Sequence, residues 1–472
     1  METHETILVS NPPHKEHIAL FSIPWFKKWG SLIVLSLALA IIIIDTTILN
    51  VSLRTIINDL HTDIQSIQWV ITAYTLMLAA FTITGGRIGD LFGRKKMFVV
   101  GAVIFAVGSF ITSISTSVGM MIGGESIIEG IGAALMLPAT ASLLVANFKG
   151  KDRAIAFGVW GSVAGASGPI GSILGGWLTV AYSWRWAFRI NVFIAVILVI
   201  GSIIIKESHE RSEKPSLDLV GVFLSAMGML SIVYGLIESS EFGWWASKKD
   251  FVFFDKVISP FGLSPILFFI AYGLLIIGYF FLWENYREKS GKTPLVSLKL
   301  FANHAFALGT LITAIISMGL LGFSFMFPVF WQAVLKLDPL QTGVAMVPMS
   351  ITMFIVSPLS ALLGHKLGMR ILIQVGLLLT MIAIALMAFT LGPNITPWNM
   401  VPALVIFGVG LGAVMAQISN LTLSAVSVQQ AGEASGVNNT LRQVGATLGV
   451  AIIGSVLLLN ITNNLQTGVQ NS

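Results

Sequence analysis

The 472-residue chain has no cysteine. Disulfides, thiolate-held metals and a cysteine nucleophile are therefore excluded, and compartment is left undecided. Charge is nearly as scarce, at 10% of residues. No GxxxxGK[ST] run is present, so direct use of ATP is not expected. The 7 histidines are scattered, and neither a nucleophile–base set nor a metal-ligand spacing stands out. An enzyme is the weakest reading, and neither a metal nor an organic cofactor is expected. Met1–Gly30 lacks a cleavable signal pattern: Met1–His17 is polar, and only a short apolar run precedes Pro24 and Lys27–Lys28.

What the chain has in abundance is apolar surface: 55% of residues are hydrophobic, with a mean hydropathy of +0.87. No water-soluble core hides that much, so the partner of these surfaces is a lipid bilayer. A net charge of +5 and a pI near 9.3 could suggest nucleic acid. The basic residues, however, sit in short loops and mostly on one side, which is the pattern of membrane orientation, so no nucleic-acid partner is expected.

Counting apolar runs of about 20 residues places spans near 32–52, 69–89, 97–117, 119–147, 155–180, 186–205, 217–237, 262–283, 304–331, 340–363, 370–391, 399–425 and 433–460. The fold class expected is an all-α polytopic membrane protein of about 13 transmembrane helices. Its segments are a cytoplasmic N-terminal segment (1–30), a six-helix bundle (31–205), a linker with two extra helices (206–303) and a C-terminal bundle (304–472). Ile18–Trp29 reads as an amphipathic approach segment, with Trp25 and Trp29 near headgroup level. Starting inside, the basic loops around Arg87–Lys96, Lys149–Arg153, Lys206–Lys214, Arg287–Lys299 and Lys366–Arg370 all fall in the cytoplasm. The final ITNNLQTGVQNS is too polar to cross, so the C-terminus is expected outside.

Gly85–Lys96, GGRIGDLFGRKK, organises the rest. Arg87, Arg94, Lys95 and Lys96 surround one acid, Asp90, among glycines at 85, 86, 89 and 93. Asp90 could pair with Arg94 or bond the free N–H groups of a neighbouring helix terminus. The pattern resembles the loop between the second and third helices of the major facilitator superfamily, which implies a cytoplasmic latch made by Gly86, Asp90, Gly93 and Arg94. A fainter copy, GHKLGMR at Gly364–Arg370, has His365 in place of the acid, as a duplicated six-helix unit would leave behind. The resemblance implies a major facilitator fold with two pseudo-symmetric bundles. It also leaves the second bundle one helix short, with five spans found.

Three acids lie in the apolar spans of the first half. Asp45 sits mid-way along the first, in DTTILNVSL; a carboxylate there costs roughly 2.5–3.5 kcal/mol, so it should face a cavity or the bundle interior. The lesser alternative is a packing residue bonded to neighbours such as Asn50 and Thr47. Glu125 and Glu129 are four apart and share a helix face; either could be neutral and structural. DTTILNVSL looks like the first-helix motif of the fourteen-helix drug:proton antiporter family, with Arg54 where that family has Pro. The resemblance implies that Asp45, with Asn50, Glu125 and Glu129, handles protons or cationic cargo. The fourth-helix motif matches at Gly130–Pro138 but has Ser126 for its usual Arg and Glu129 for its usual Gln. Arg189 is a candidate replacement charge.

In the fifth span Gly161, Gly165, Gly168, Ser172 and Gly176 form a stripe without bulky side chains, bent at Pro169 and with Gly175 beside Gly176. The string WGSVAGASGPIGSILGGWL resembles the motif that marks antiporters in the superfamily, implying a hinge between halves and export. Gly432–Val450 resembles the family's penultimate helix. Its Arg442 is a buried cation at the domain interface that could pair with an acid or snorkel, and its small residues at 445 and 449 are expected to face the other half. Phe323, Phe325, Met326, Phe327, Phe330 and Trp331 make a wall that could contact core, lipid or substrate.

The leading expectation is a monomeric secondary active exporter in a bacterial plasma (inner) membrane, N-terminus cytoplasmic. It would exchange protons, its only coupling agent, for lipophilic and cationic small molecules by alternating access. A rival keeps the fold but moves a specific metabolite, siderophore or lipid with altered or no proton coupling. A non-transporting sensor would have no need of the buried acids.

Overall fold

The structure, a computed structural model, describes residues 24–207, 217–248, 252–253, 256–257, 262–333, 335–337, 339–392 and 395–470. Most of the N-terminal approach segment and the middle of the 206–214 connector lie outside them. The first half comprises α1 (Pro24–Asp59), α2 (Ile64–Phe92), α3 (Arg94–Ser113), α4 (Val118–Met121) continuing through a π-helical stretch (Ile122–Glu129) into α5 (Gly130–Asn147), α6 (Gly150–Ala181) and α7 (Trp184–Gly201). The linker contributes α8 (Leu219–Phe242) and α9 (Pro265–Lys289), with a two-residue hairpin, Val252–Phe253 against Lys256–Val257, between them. After the short α10 (Lys299–Ala302) come α11 (His304–Ala333), α12 (Pro339–Leu367), α13 (Met369–Thr390), α14 (Pro397–Ser424) and α15 (Ala431–Gln470).

Among the described residues twelve helices are long and apolar enough to cross a membrane. They match the first twelve expected spans; the thirteenth is the helix α15. Two details depart from the sequence reading. Trp29 belongs to α1 rather than to a surface-lying segment, because Pro24 starts the helix and nothing breaks it before the apolar run. Its ring stacks on Phe148 at 5.5 Å. The fourth span is not plain α-helix: its π-helical stretch contains both glutamates, and such widened turns recur at functional sites. Gly108 of α3 and Gly124 lie so close that a Cβ on Gly124 would sit 2.6 Å from Thr112 Oγ1, so the paired glycines bring the two backbones together.

The two halves meet along two seams, α6 against α12 and α2 against α15. The extra pair packs as a hairpin whose α8 rests on both α2 and α15, covering that second seam. Asp218 at the start of α8 accepts from Trp283 Nε1 (2.8 Å) and pairs with Arg287 (3.1 Å), which fixes the hairpin's register.

The basic loops converge at one end. Lys28 pairs with Asp152 (2.9 Å), the Asn147 side chain bonds the Lys206 backbone, Asn303 reaches the Ala425 carbonyl, and Arg153 approaches Ser424. At the opposite end Asp59 receives Arg185 and Trp184. Hydrogen bonds from Arg185 and then Trp184 hold the Asp59 carboxyl below its usual range.

Candidate functional site

A rise of about 1.5 Å per residue from Lys28 puts Asp45 roughly 25 Å along α1 from the basic end. The same arithmetic from Asn147 puts Glu129 roughly 27 Å along. Asp45, Glu125 and Glu129 thus meet in the far third of the first bundle. Their carboxylate oxygens lie within 4.8 Å of one another, and each residue is at most 1% exposed.

Asn191 of α7 donates from Nδ2 to Asp45 Oδ1 (2.6 Å), with Ser109 Oγ at 3.3 Å and Glu129 Oε1 at 3.4 Å. Ser109 Oγ donates to Glu129 Oε1 at 2.6 Å. Those contacts leave Asp45 Oδ2, Glu129 Oε2, both Glu125 oxygens and Asn191 Oδ1 buried without partners among the described residues; the hydroxyl of Tyr74 is in the same position. No Lys or Arg pairs with the acids among those residues. Such a set of oxygens holds together only when hydrogen ions or another cation sit among them.

Towards the far end an apolar cluster including Ile48, Ile67, Val70, Met121, Trp184 and Phe188 seals the site. A separate apolar cavity of about 540 Å³ lies between α1 and α6, beside Trp29, Leu37 and Val159, with no carboxyl group in its wall.

Not every expected residue joins the acids. Asn50 is exposed and donates to the Thr46 carbonyl of its own helix. Arg189 does not replace the missing cation: it lies over the Trp186 ring, 5.2 Å from its centroid. The position usually held by Arg is Ser126, which donates to the Val70 carbonyl (2.7 Å). Asn191, Ser109 and Tyr74 were missed. Asn191 carried a signal, an amide within an apolar run, by the same logic that exposed Asp45; Ser109 and Tyr74 did not, because such residues are common in membrane helices.

At the basic end Asp90 does both things expected of it. Arg94 pairs with it at 2.6 Å, and it accepts from the backbone N–H of Gly432 (3.1 Å) and Glu433 (2.7 Å), the start of α15 in the other half. An anion at a helix N-terminus is favourable, and here it ties two bundles. Arg94 also donates to the carbonyls of Val428 and Gln429, and Arg87 pairs with Glu433 at 3.4 Å. The Ser297 backbone N–H bonds Glu433 as well, drawing the linker into the same knot. Gly86 abuts the Gly432 carbonyl, and Gly93 turns the chain at φ +106°, a conformation that favours glycine.

The α6 stripe has two faces. Gly158 and Gly165 press on Pro358 and Met353 of α12, and Gly161 faces Ser357 and Met415 more loosely. Gly168, just before Pro169, faces open space; beyond Pro169, Gly171 and Gly175 face Thr47 and Ile48 of α1, and a Cβ on Gly176 would lie 3.7 Å from Val51. The expected single hinge surface is therefore divided between the seam and the bundle's own interior. In α15 the expectation for positions 445 and 449 is corrected. Gly445 and Gly449 pack on the Ala314 and Met318 carbonyls of α11 in their own half, while Gly432 and Gly436 face α2. From 436 to 445 a helix turns through roughly 180°, which puts the two pairs on opposite sides.

Arg442 has no ion pair or hydrogen bond among the described residues; its guanidinium lies over Trp160 of α6, 5.8 Å from the ring centroid. Phe323, Phe327 and Trp331 point into the second bundle's core, with Phe323 stacked on Phe407 at 4.0 Å. The Phe325 side chain lies outside the described residues.

The Major Facilitator Superfamily pattern matches residues 35–450. The chain is 30% identical over 460 residues to a probable actinorhodin transporter of Streptomyces coelicolor, covering 95% of this chain and 76% of that protein. It is 29% identical to a puromycin resistance protein of Streptomyces alboniger (91% and 82% covered) and 28% identical to the multidrug resistance protein Stp of Mycobacterium tuberculosis (94% and 78%). The human organic anion transporter TETRAN shares the fold, with a TM-score of 0.60, 13% identity and 92% and 94% of the two chains covered. A family match over most of its length, together with its relatives, makes this chain an integral membrane transporter, not an enzyme, and a member of the Major Facilitator Superfamily.

Proposed function

We propose that the chain exports lipophilic drugs by proton-coupled antiport, from a bacterial plasma membrane with its basic end and N-terminus in the cytoplasm. Similarity to antibiotic and multidrug resistance proteins supports drug export, and the one-sided basic loops support the orientation. The observation that carries the coupling is the meeting of Asp45, Glu125 and Glu129 within 4.8 Å. Hydrogen ions reaching the cluster from outside would let it close, and losing them would force it apart. Alternation follows if one state favours the loaded cluster and the other the empty one. Asp90, bonded to the Gly432 and Glu433 N–H groups, holds the basic ends of the two halves together, which supports reading this state as closed on that side.

The three acids led the sequence to favour cationic cargo. Buried behind the apolar cap, they meet cargo only if the bundle opens. Proton release on addition of drug to purified protein tests the coupling, in wild type and in Asp45→Asn, Glu125→Gln and Glu129→Gln. Release that disappears in at least one variant is expected. No release by any drug tried would remove antiport and favour an uncoupled exporter of a specific metabolite, siderophore or lipid, to which Ser126 in place of the usual Arg also points.

A further inference from the structure

Arg442 lies about 14 Å along α15 from Glu433 at the basic end, and Trp160 about 15 Å along α6 from Gly150, each at about 1.5 Å per residue. Both therefore stand near half-depth of a hydrocarbon layer about 30 Å thick, on opposite sides of the boundary between the bundles. A guanidinium carries five N–H donors and cannot shed its charge. At half-depth this one has an indole face and, among the described residues, no acceptor. It keeps some exposure, and its guanidinium reaches Trp160 of α6, so it stands at the boundary between the bundles.

Two further unused polar groups lie with it. Among the described residues, Trp160 is 4% exposed with its Nε1–H unpartnered, and Asn438, one turn before Arg442 on the same face of α15, is 6% exposed with Oδ1 unpartnered. Across the boundary Met353 and Met415 of the second bundle lie against Gly165 and Gly161 of α6. Thioethers give such a wall the adaptability to accept aromatic ligands of varied shape. The acids cannot neutralise Arg442 in this state, because all three are buried inside the first bundle.

We propose that Arg442, with Trp160 and Asn438, forms the cargo-binding centre, and that it takes planar aromatic compounds bearing an acidic or acceptor-rich edge. The edge meets the guanidinium fork and the rings meet Trp160, which shifts the cargo class from cations toward aromatic anions. The proposal rests on the export reading but not on its proton step. Charge recognition at half-depth and hydrogen-ion loading in the outer third are then separate sites, coupled through the bundle rather than by direct competition.

The test is equilibrium binding to the full chain in nanodiscs, followed by fluorescence anisotropy, with fluorescein as aromatic anion and ethidium as aromatic cation. Arg442→Gln is expected to weaken fluorescein binding about tenfold or more while leaving ethidium unchanged or tighter. Arg442→Lys should recover part of the loss, and Trp160→Phe, which keeps a ring and removes the N–H, should weaken fluorescein by a smaller factor. Thermal melting of each variant identifies misfolding, and Arg442→Lys serves as the variant that keeps the charge. Fluorescein affinity insensitive to Arg442→Gln, or ethidium binding lost along with fluorescein in a folded Arg442→Gln protein, overturns the proposal. Normal fluorescein binding with no drug-driven proton release would instead remove the coupling step of the export reading and leave this site standing.

Discussion

The two bundles solve the same packing problem with different chemistry. The first gathers three carboxyl groups, an amide and a hydroxyl into a site sealed from water. The second fills the corresponding interior with Phe323, Phe327, Trp331, Phe407 and a set of methionines. Their basic-end loops differ in the same way. Gly93 and Gly368 both break adjoining helices at positive φ, +106° and +87°. Only the first loop has an acid, and only there does a carboxylate reach across to the other half; Arg370 of the second loop is exposed. Similar backbones thus carry unlike chemistry, because a few buried polar residues decide which half holds carboxyl groups and bonds across to the other.

The comparison can be broken most forcefully at the latch. Asp90→Ala leaves Arg94 buried without its partner and the start of α15 uncapped, a loss of roughly 3–5 kcal/mol for breaking a buried pair. Spin labels on cysteines introduced at the basic end, with no native cysteine to interfere, should report separation of the halves. Arg370→Ala in the second loop should change stability by no more than about 0.5 kcal/mol. Equal effects would erase the difference between the loops.

Within the bundles, Phe407→Ala should cost roughly 3–5 kcal/mol of stability, through lost burial and a cavity, while the surviving folded fraction still releases protons. Asp45→Asn should do the reverse. Replacing a buried ionisable group by a neutral isostere can be neutral or stabilising by about 1–4 kcal/mol, yet drug-driven proton release should fall at least about tenfold. Asn191→Leu should retain the fold but lower coupling by less than Asp45→Asn, since it removes a donor to Asp45 and not the carboxyl itself.

The smallest effect belongs to the surface pair at the far end. The Asp59 carboxyl is held below its usual range by Arg185 and Trp184. Its stabilisation is whole above the ordinary aspartate value of about 3.9 and fades as pH falls through the lowered one. Being partly exposed, the pair contributes only about 0.2–1 kcal/mol. Acid melting curves of wild type and Asp59→Asn should therefore converge at low pH and separate slightly above it.

The sequence alone determined the membrane class, the span positions and the Asp90–Arg94 pair, because each depends on runs and spacings along one helix or loop. Twenty apolar residues fold as a span wherever lipid is the solvent, and Asp90 with Arg94 four residues on needs only a helix turn to meet. Asp45, Glu125 and Glu129 were visible as costly residues for the same reason. Their assembly was not, since α1 and α7, far apart in sequence, had to meet before Asn191 could bind Asp45, and Gly108 and Gly124 had to bring α3 against the fourth span before Ser109 could bind Glu129. Tertiary structure also decided which way Gly445 and Gly449 face, where Arg189 goes, and that Arg442 meets an indole instead of an acid. Helical periodicity tells which residues share a face; only the packed neighbours tell what that face touches.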